Sequence, residues 1–117
     1  MQTIIQARDF SLTEALRNHA ERRLQFALSC CSEYIRQVEV RLSDINGPRG
    51  GPDKRCHIHI LLDGLPDVVI EDTESDMYFA IDRATERAGR TIKRKIERRQ
   101  ALSRQSAAAV PLADQTD

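Results

Sequence analysis

A chain of 117 residues, 40% hydrophobic and 31% charged, has the size and composition of one soluble globular domain with a modest core. Its 18 basic and 18 acidic residues cancel, which excludes a generic polycation that would bind nucleic acid through charge excess alone. No apolar run reaches bilayer-spanning length, and MQTIIQARDF lacks the basic start, apolar segment and small-residue cleavage site of a secretory signal, so the cytoplasm is the expected compartment.

In chain order, Gln2 to Ala7 carries Ile4 and Ile5 and reads as a short strand. Ser11 and Glu14 then have the spacing of a capping box, with Phe10 and Ala15 as a weak hydrophobic staple. The helix that follows is expected to run to about Ser29, with Leu12, Leu16, Ala20, Leu24, Ala27 and Leu28 on its apolar face. From Ile35 to Ser43 the period falls to two: Val38, Val40 and Leu42 face one way, Gln37, Glu39 and Arg41 the other. The alternation resumes with Cys56, Ile58, Ile60 and Leu62 inward and Arg55, His57 and His59 outward. Asp63, Gly64 and Pro66 mark a turn before a short strand at Val68 to Glu71. Thr73 or Ser75 is expected to cap a long second helix from about Asp76 to Leu102.

The order β-α-β-β-β-α predicts an α/β two-layer sandwich: a four-stranded mixed sheet with both helices on one face. A helical crossover joins the first two strands in parallel, and the next connections make an antiparallel meander. Residues 1–102 form the expected domain, and the small, polar, proline-broken 103–117 a flexible tail.

Charge is polarised along this order. Arg83, Arg87, Arg90, Lys93, Arg94, Lys95, Arg98, Arg99 and Arg104 crowd the second helix against only Glu86 and Glu97, while acids gather in EDTESD, Glu71 to Asp76. At about 100° per residue, Arg87, Arg90, Arg94 and Arg98 fall within roughly 60° of Arg83. Met77, Ile81, Ala84, Ala88, Ile92 and Ile96 form a separate stripe. A solvated charged face usually mixes its signs. A line of arginines, whose forked guanidinium grips phosphate oxygens in pairs, shifts the reading toward a polyanion, and structured RNA is the best candidate.

The stretch NGPRGGPDKRCHIHI, Asn46 to Ile60, raises two other chemistries. A phosphate-cradling Walker loop needs G-x-x-x-x-G-K-[ST] between strand and helix; here Pro52-Asp53-Lys54 follows Gly51 and a strand comes next, so the loop reads as a long hairpin connection. Arg49, Lys54 and Arg55 are candidates for further phosphate contacts, weighed evenly against a solvated turn. A metal site on Cys56, His57 and His59 fails because alternation sends Cys56 to the opposite face, and no metal or cofactor is expected. Cys56 reads as a core residue; the adjacent Cys30 and Cys31 read as two partly buried structural thiols, in a chain whose three cysteines suit a reducing compartment. No nucleophile elbow or paired-carboxylate arrangement appears, and the chain reads as a non-enzyme.

At DMYFAIDRATERAGRTIKR the chain resembles the ribosome hibernation-promoting factors, the family of the ribosome-associated inhibitor also called protein Y and once named for sigma-factor modulation. Asp76-Met77-Tyr78 and Ala80-Ile81-Asp82 match that family's DMYAAID signature, and TEALRNHAERRL, Thr13 to Leu24, resembles its first helix. The resemblance covers about residues 2–100 and implies the same β-α-β-β-β-α fold. It further implies binding to the small ribosomal subunit in the channel of mRNA and the A- and P-site tRNAs, with translation blocked by occupancy in stress or stationary phase, and a chain monomeric off the ribosome. The family's basic positions fall here on Arg87, Arg90 and Arg94, with Arg22 and Arg23 in the first helix; the stripe adds Arg83, Lys93 and Arg98 to the candidate rRNA-binding set. Phe79 departs from the usual alanine, and Gly89 stands where a better helix former is typical. The chain stops before the dimerisation domain of the family's long form, which makes a short form the expectation. The rival readings are a protein-interaction regulator of the sigma-factor type, a thiol-based stress sensor, and binding to structured RNA outside the ribosome.

Overall fold

The computed structural model describes the backbone of residues 1–45 and 53–115 and the side chains within 1–45 and 53–104. Along the chain come β1 (Gln2–Arg8), α1 (Glu14–Leu28), a 3-10 segment (Ser29–Tyr34), β2 (Ile35–Asp44), β3 (Lys54–Leu62), β4 (Val68–Glu74) and α2 (Met77–Gln115). The strands form one four-stranded sheet in the order β1-β2-β3-β4. β1 lies parallel to β2, with Ile5 beside Val40, because α1 returns the chain across the sheet between them. β2 with β3 and β3 with β4 are antiparallel, placing Val40 opposite Ile58 and Ile58 opposite Ile70. The expected α/β sandwich is therefore the observed one.

Period-two alternation sorts the sheet into two faces. Val38, Val40, Leu42, Cys56, Ile58, Ile60, Val68 and Ile70 enter the core. On the other face stand Glu39, Arg41, His57, His59 and Glu71. Leu16, Ala20, Leu24 and Leu28 of α1 and Met77, Ile81, Ala84, Ala88, Ile92 and Ile96 of α2 cover the buried face. Thr85, buried on the same stripe, satisfies its hydroxyl by donating to the Ile81 carbonyl at 2.8 Å.

Several local expectations are corrected. Thr13, not Ser11, caps α1: its hydroxyl accepts from the Leu16 amide at 3.2 Å. Asp76 takes the place expected of Thr73 or Ser75 before α2, its carboxylate accepting from the Tyr78 amide at 3.3 Å and its carbonyl from the Ala80 amide at 2.9 Å. Thr73 is instead consumed by β4, which runs on to Glu74 because Thr73 and Glu74 still pair with Arg55 and Lys54. At the other end the helical backbone of α2 extends to Gln115, past Leu102. The glycine-rich stretch at 46–52, with Arg49, lies outside the described residues.

Candidate nucleic-acid interface

Helix α2 projects its cations in two directions. Lys95 and Arg99 turn toward the β3–β4 connection, where Arg99 Nη1 donates to the Gly64 carbonyl and Arg98 borders the same depression beside Leu65. Gly64 has φ 72°, a left-handed turn conformation that glycine adopts without a Cβ penalty. Arg83, Arg87, Arg90, Arg94 and Arg98 are all exposed along another line, as the helical period requires.

The structure divides that line by partner. Arg87 reaches across to β4, donating to the Glu71 carbonyl at 2.9 Å and to Asp72 Oδ2 at 3.3 Å. Arg90 pairs with Glu86 one turn earlier, at 3.0 Å. The Arg83 guanidinium lies over the Phe79 ring, 5.7 Å from its centroid. Among the described residues, Lys93, Arg94 and Arg98 enter no ion pair, and neither does Arg22 on the exposed side of α1. Arg23 differs from its neighbour: it is half-buried and ties α1 to α2 through Asp82, Nε to Oδ1 at 3.2 Å. His19 joins the same carboxylate at 2.7 Å and meets Tyr78 edge to face, ring centroids 5.0 Å apart.

The two helices also shape a groove of about 370 Å³, lined by Arg23, Phe26, Ala27 and Cys30 from α1 and by Glu86, Gly89, Arg90 and Lys93 from α2. Gly89 explains the close helix approach: a Cβ built there would lie 2.9 Å from the Ala27 carbonyl oxygen. The residue that weakens α2 as an isolated helix is thus the one that lets α1 seat against it. Phe26 was not among the expected site residues. It sits off the apolar stripe of α1 and is 81% exposed, and an aromatic on a polar helix face is the signal that could have found it.

Lys54 and Arg55 are placed away from this face, at the start of β3. Lys54 Nζ donates to Asp44 at 3.0 Å and to the buried Asp53 at 3.3 Å. Those bonds, that to Asp44 first, raise its pKa. Arg55 Nε lies 3.8 Å from Glu71 on the open sheet face. On that face arginines stand beside acids, Arg41 pairing with Glu39 at 3.1 Å, and His59 meets Asp67 at 3.0 Å.

The cysteines separate from one another. Cys56 is core, as expected, and burial pushes its thiol up to about 12. Cys31 is buried in the 3-10 segment and raised to about 11, by burial first and then by its hydrogen bond with Cys30, Sγ to Sγ 3.3 Å. Cys30 is exposed rather than partly buried, because the 3-10 segment turns it outward into the groove. Two of the three thiols thus hold their protons near neutrality, which disfavours a thiolate-based sensor at those positions. Among the described residues no group of three or more His, Cys, Asp or Glu could hold a metal ion, and no helix is long and apolar enough to cross a membrane.

Known proteins agree with this architecture. No curated protein matches the chain. Of solved structures, the N-terminal domain of Thermus thermophilus protein Y is similar at 28% identity and TM-score 0.66, over 80% of this chain and 98% of that one. A ribosomal subunit interface protein from Coxiella burnetii shares the fold at 18% identity and TM-score 0.72, over 83% of this chain and 99% of that one. Residues 3–100, which take in α1, β2, β3 and β4 and all but the outer ends of β1 and α2, match the family described as sigma 54 modulation protein / S30EA ribosomal protein. With its signature at Asp76 to Asp82 and its sandwich of β-α-β-β-β-α order, the chain belongs to that family.

Proposed function

We propose that this protein associates with the ribosome as a translation inhibitor, docking the α1–α2 face on small-subunit rRNA in the mRNA and tRNA channel. Inhibition is by occupancy: the sandwich is a rigid wedge, and the bound wedge excludes mRNA and tRNA. The observation that carries the reading is a set of exposed cations with no ion-pair partner among the described residues, Arg22, Lys93, Arg94 and Arg98. Exposed cations without intramolecular partners are free to displace the counterions of a phosphate backbone. Family membership supports the same partner, since the family is described as a ribosomal protein.

Arg87, Arg90 and Arg23 contribute differently. Each already has an acidic partner within 3.3 Å, so contact with phosphate requires exchange of that partner. Exchange at the exposed Arg90–Glu86 pair costs little, because such pairs contribute about 0–1 kcal/mol, whereas Arg87 would give up the largely buried Asp72 and the Glu71 carbonyl together. Occupancy is tested by displacement: purified small subunits carrying a labelled mRNA and initiator tRNA are titrated with the protein. Release of both labels at stoichiometric protein is the expected result. Stable binding of the protein with mRNA and tRNA both retained would place it outside the channel.

A further inference from the structure

The groove between α1 and α2 joins three features that charge alone does not explain. Its floor is apolar and close-packed, made by Ala27 and Gly89 with the Cys30 thiol beside them. One wall is the Phe26 ring, 81% exposed in a chain whose aromatic content is only 4%. The rim carries Arg23, Arg90 and Lys93 against the single carboxylate of Glu86. All eight lining residues follow the helical repeat, 23, 26, 27 and 30 on one helix and 86, 89, 90 and 93 on the other, so the groove is one continuous face of each.

An apolar slot beside a free aromatic ring, edged with cations, matches one chemical class. Nucleobases stack on exposed aromatic rings irrespective of sequence, while their phosphates are held by flanking cations. We infer that this groove accepts a single unpaired nucleotide of the rRNA, its base stacked on Phe26 and its phosphate held by Lys93 with Arg90. The inference rests on the ribosome-binding reading and adds a contact that the cation line does not supply. Lys93 has no ion-pair partner among the described residues and is the first phosphate ligand; Arg90 must leave Glu86 to join it. A volume of about 370 Å³ falls within the usual span of small-ligand sites, about 300–1,000 Å³.

The two contributions separate by salt. Phosphate neutralisation sets the slope of affinity against salt concentration, whereas stacking lowers affinity equally at every salt when it is lost. Co-sedimentation with small subunits is therefore measured across a salt series for wild type, Phe26→Ala and Phe26→Trp. The substitutions touch a ring that is almost free of the core, so folding is retained. Phe26→Ala is expected to weaken binding about tenfold or more with an unchanged slope, and Phe26→Trp to bind as wild type. Photo-crosslinking from p-benzoylphenylalanine installed at position 26 is expected to mark one rRNA nucleotide.

Phe26→Ala binding as tightly as wild type, in the presence of a steep salt slope, overturns the base pocket and leaves the ribosome reading standing. A crosslink to a ribosomal protein instead of rRNA also overturns it, by making the groove a protein-docking surface. Failure of the wild-type protein to bind subunits at all defeats the ribosome reading, and the base pocket with it.

Discussion

The open face of the sheet and the outer face of the helix pair carry similar kinds of residue and differ in how those residues are partnered. On the sheet, Arg41 sits against Glu39, Arg55 near Glu71, and His59 against Asp67. On the helices, Arg22, Lys93, Arg94 and Arg98 have no such partner among the described residues. A net charge of zero therefore conceals one surface neutralised in place and another left to be neutralised by something else. Partner recognition by charge depends on the local field, and that field survives an unremarkable total.

The contrast can be broken most severely by inverting the unpartnered set. Arg22→Glu, Arg94→Glu and Arg98→Glu together are expected to lower small-subunit affinity more than about 100-fold and to flatten the salt slope by roughly one per lost cation. None of the three side chains is needed for packing, so the thermal melting curve should stay near that of wild type.

Gly89→Ala sharpens the comparison from the packing side. The methyl group would meet the Ala27 carbonyl oxygen at 2.9 Å and must push α1 off α2. Overpacking of this kind costs about 1–3 kcal/mol, against about 1 kcal/mol gained in helix propensity. Urea denaturation should show a net loss; a gain would mean that the helices separate without strain.

Alkaline pH probes the interior beneath both faces. Cys31 and Cys56 ionise near 9.0 when unfolded, but burial pushes them up to about 11 and about 12 when folded. The folded state then holds more protons than the unfolded state above pH 9, so stability should fall as pH rises from about 9 through 11. The Cys56→Ala variant, measured by denaturant midpoint, should show a shallower decline. Below pH 9, a maleimide is expected to label Cys30 alone in the native protein, with Cys31 and Cys56 labelled only after unfolding.

The smallest effect belongs to the sheet. Arg41→Glu with Arg55→Glu should change subunit affinity less than about threefold, since both side chains lie on the open sheet face and each already stands beside an acid, Glu39 and Glu71.

Much of this contrast is legible in the sequence, because strand and helix periods fix which residues share a face. Cys56 falls opposite His57 and His59 by alternation alone, and the arginine line follows from 3.6 residues per turn. The partners are not legible. Arg87 finds the Glu71 carbonyl and Arg23 finds Asp82 across the fold, and sequence spacing describes only neighbours on one element. The helix caps were displaced for a local reason: Ser11 and Thr13 both have capping chemistry, and only the path of the chain after β1 selects Thr13. Gly89 looked like a flaw in α2 because its purpose is a contact with α1.

The central claim is that the unpartnered helix-face cations hold the protein to rRNA. Its most direct test is co-sedimentation with purified small ribosomal subunits across a salt series, comparing wild type, the triple variant at Arg22, Arg94 and Arg98, and the sheet-face pair. The account predicts binding that falls steeply with salt, persists in the sheet-face pair and vanishes in the triple variant. Salt-insensitive binding, or a triple variant that still binds at physiological salt, would contradict it.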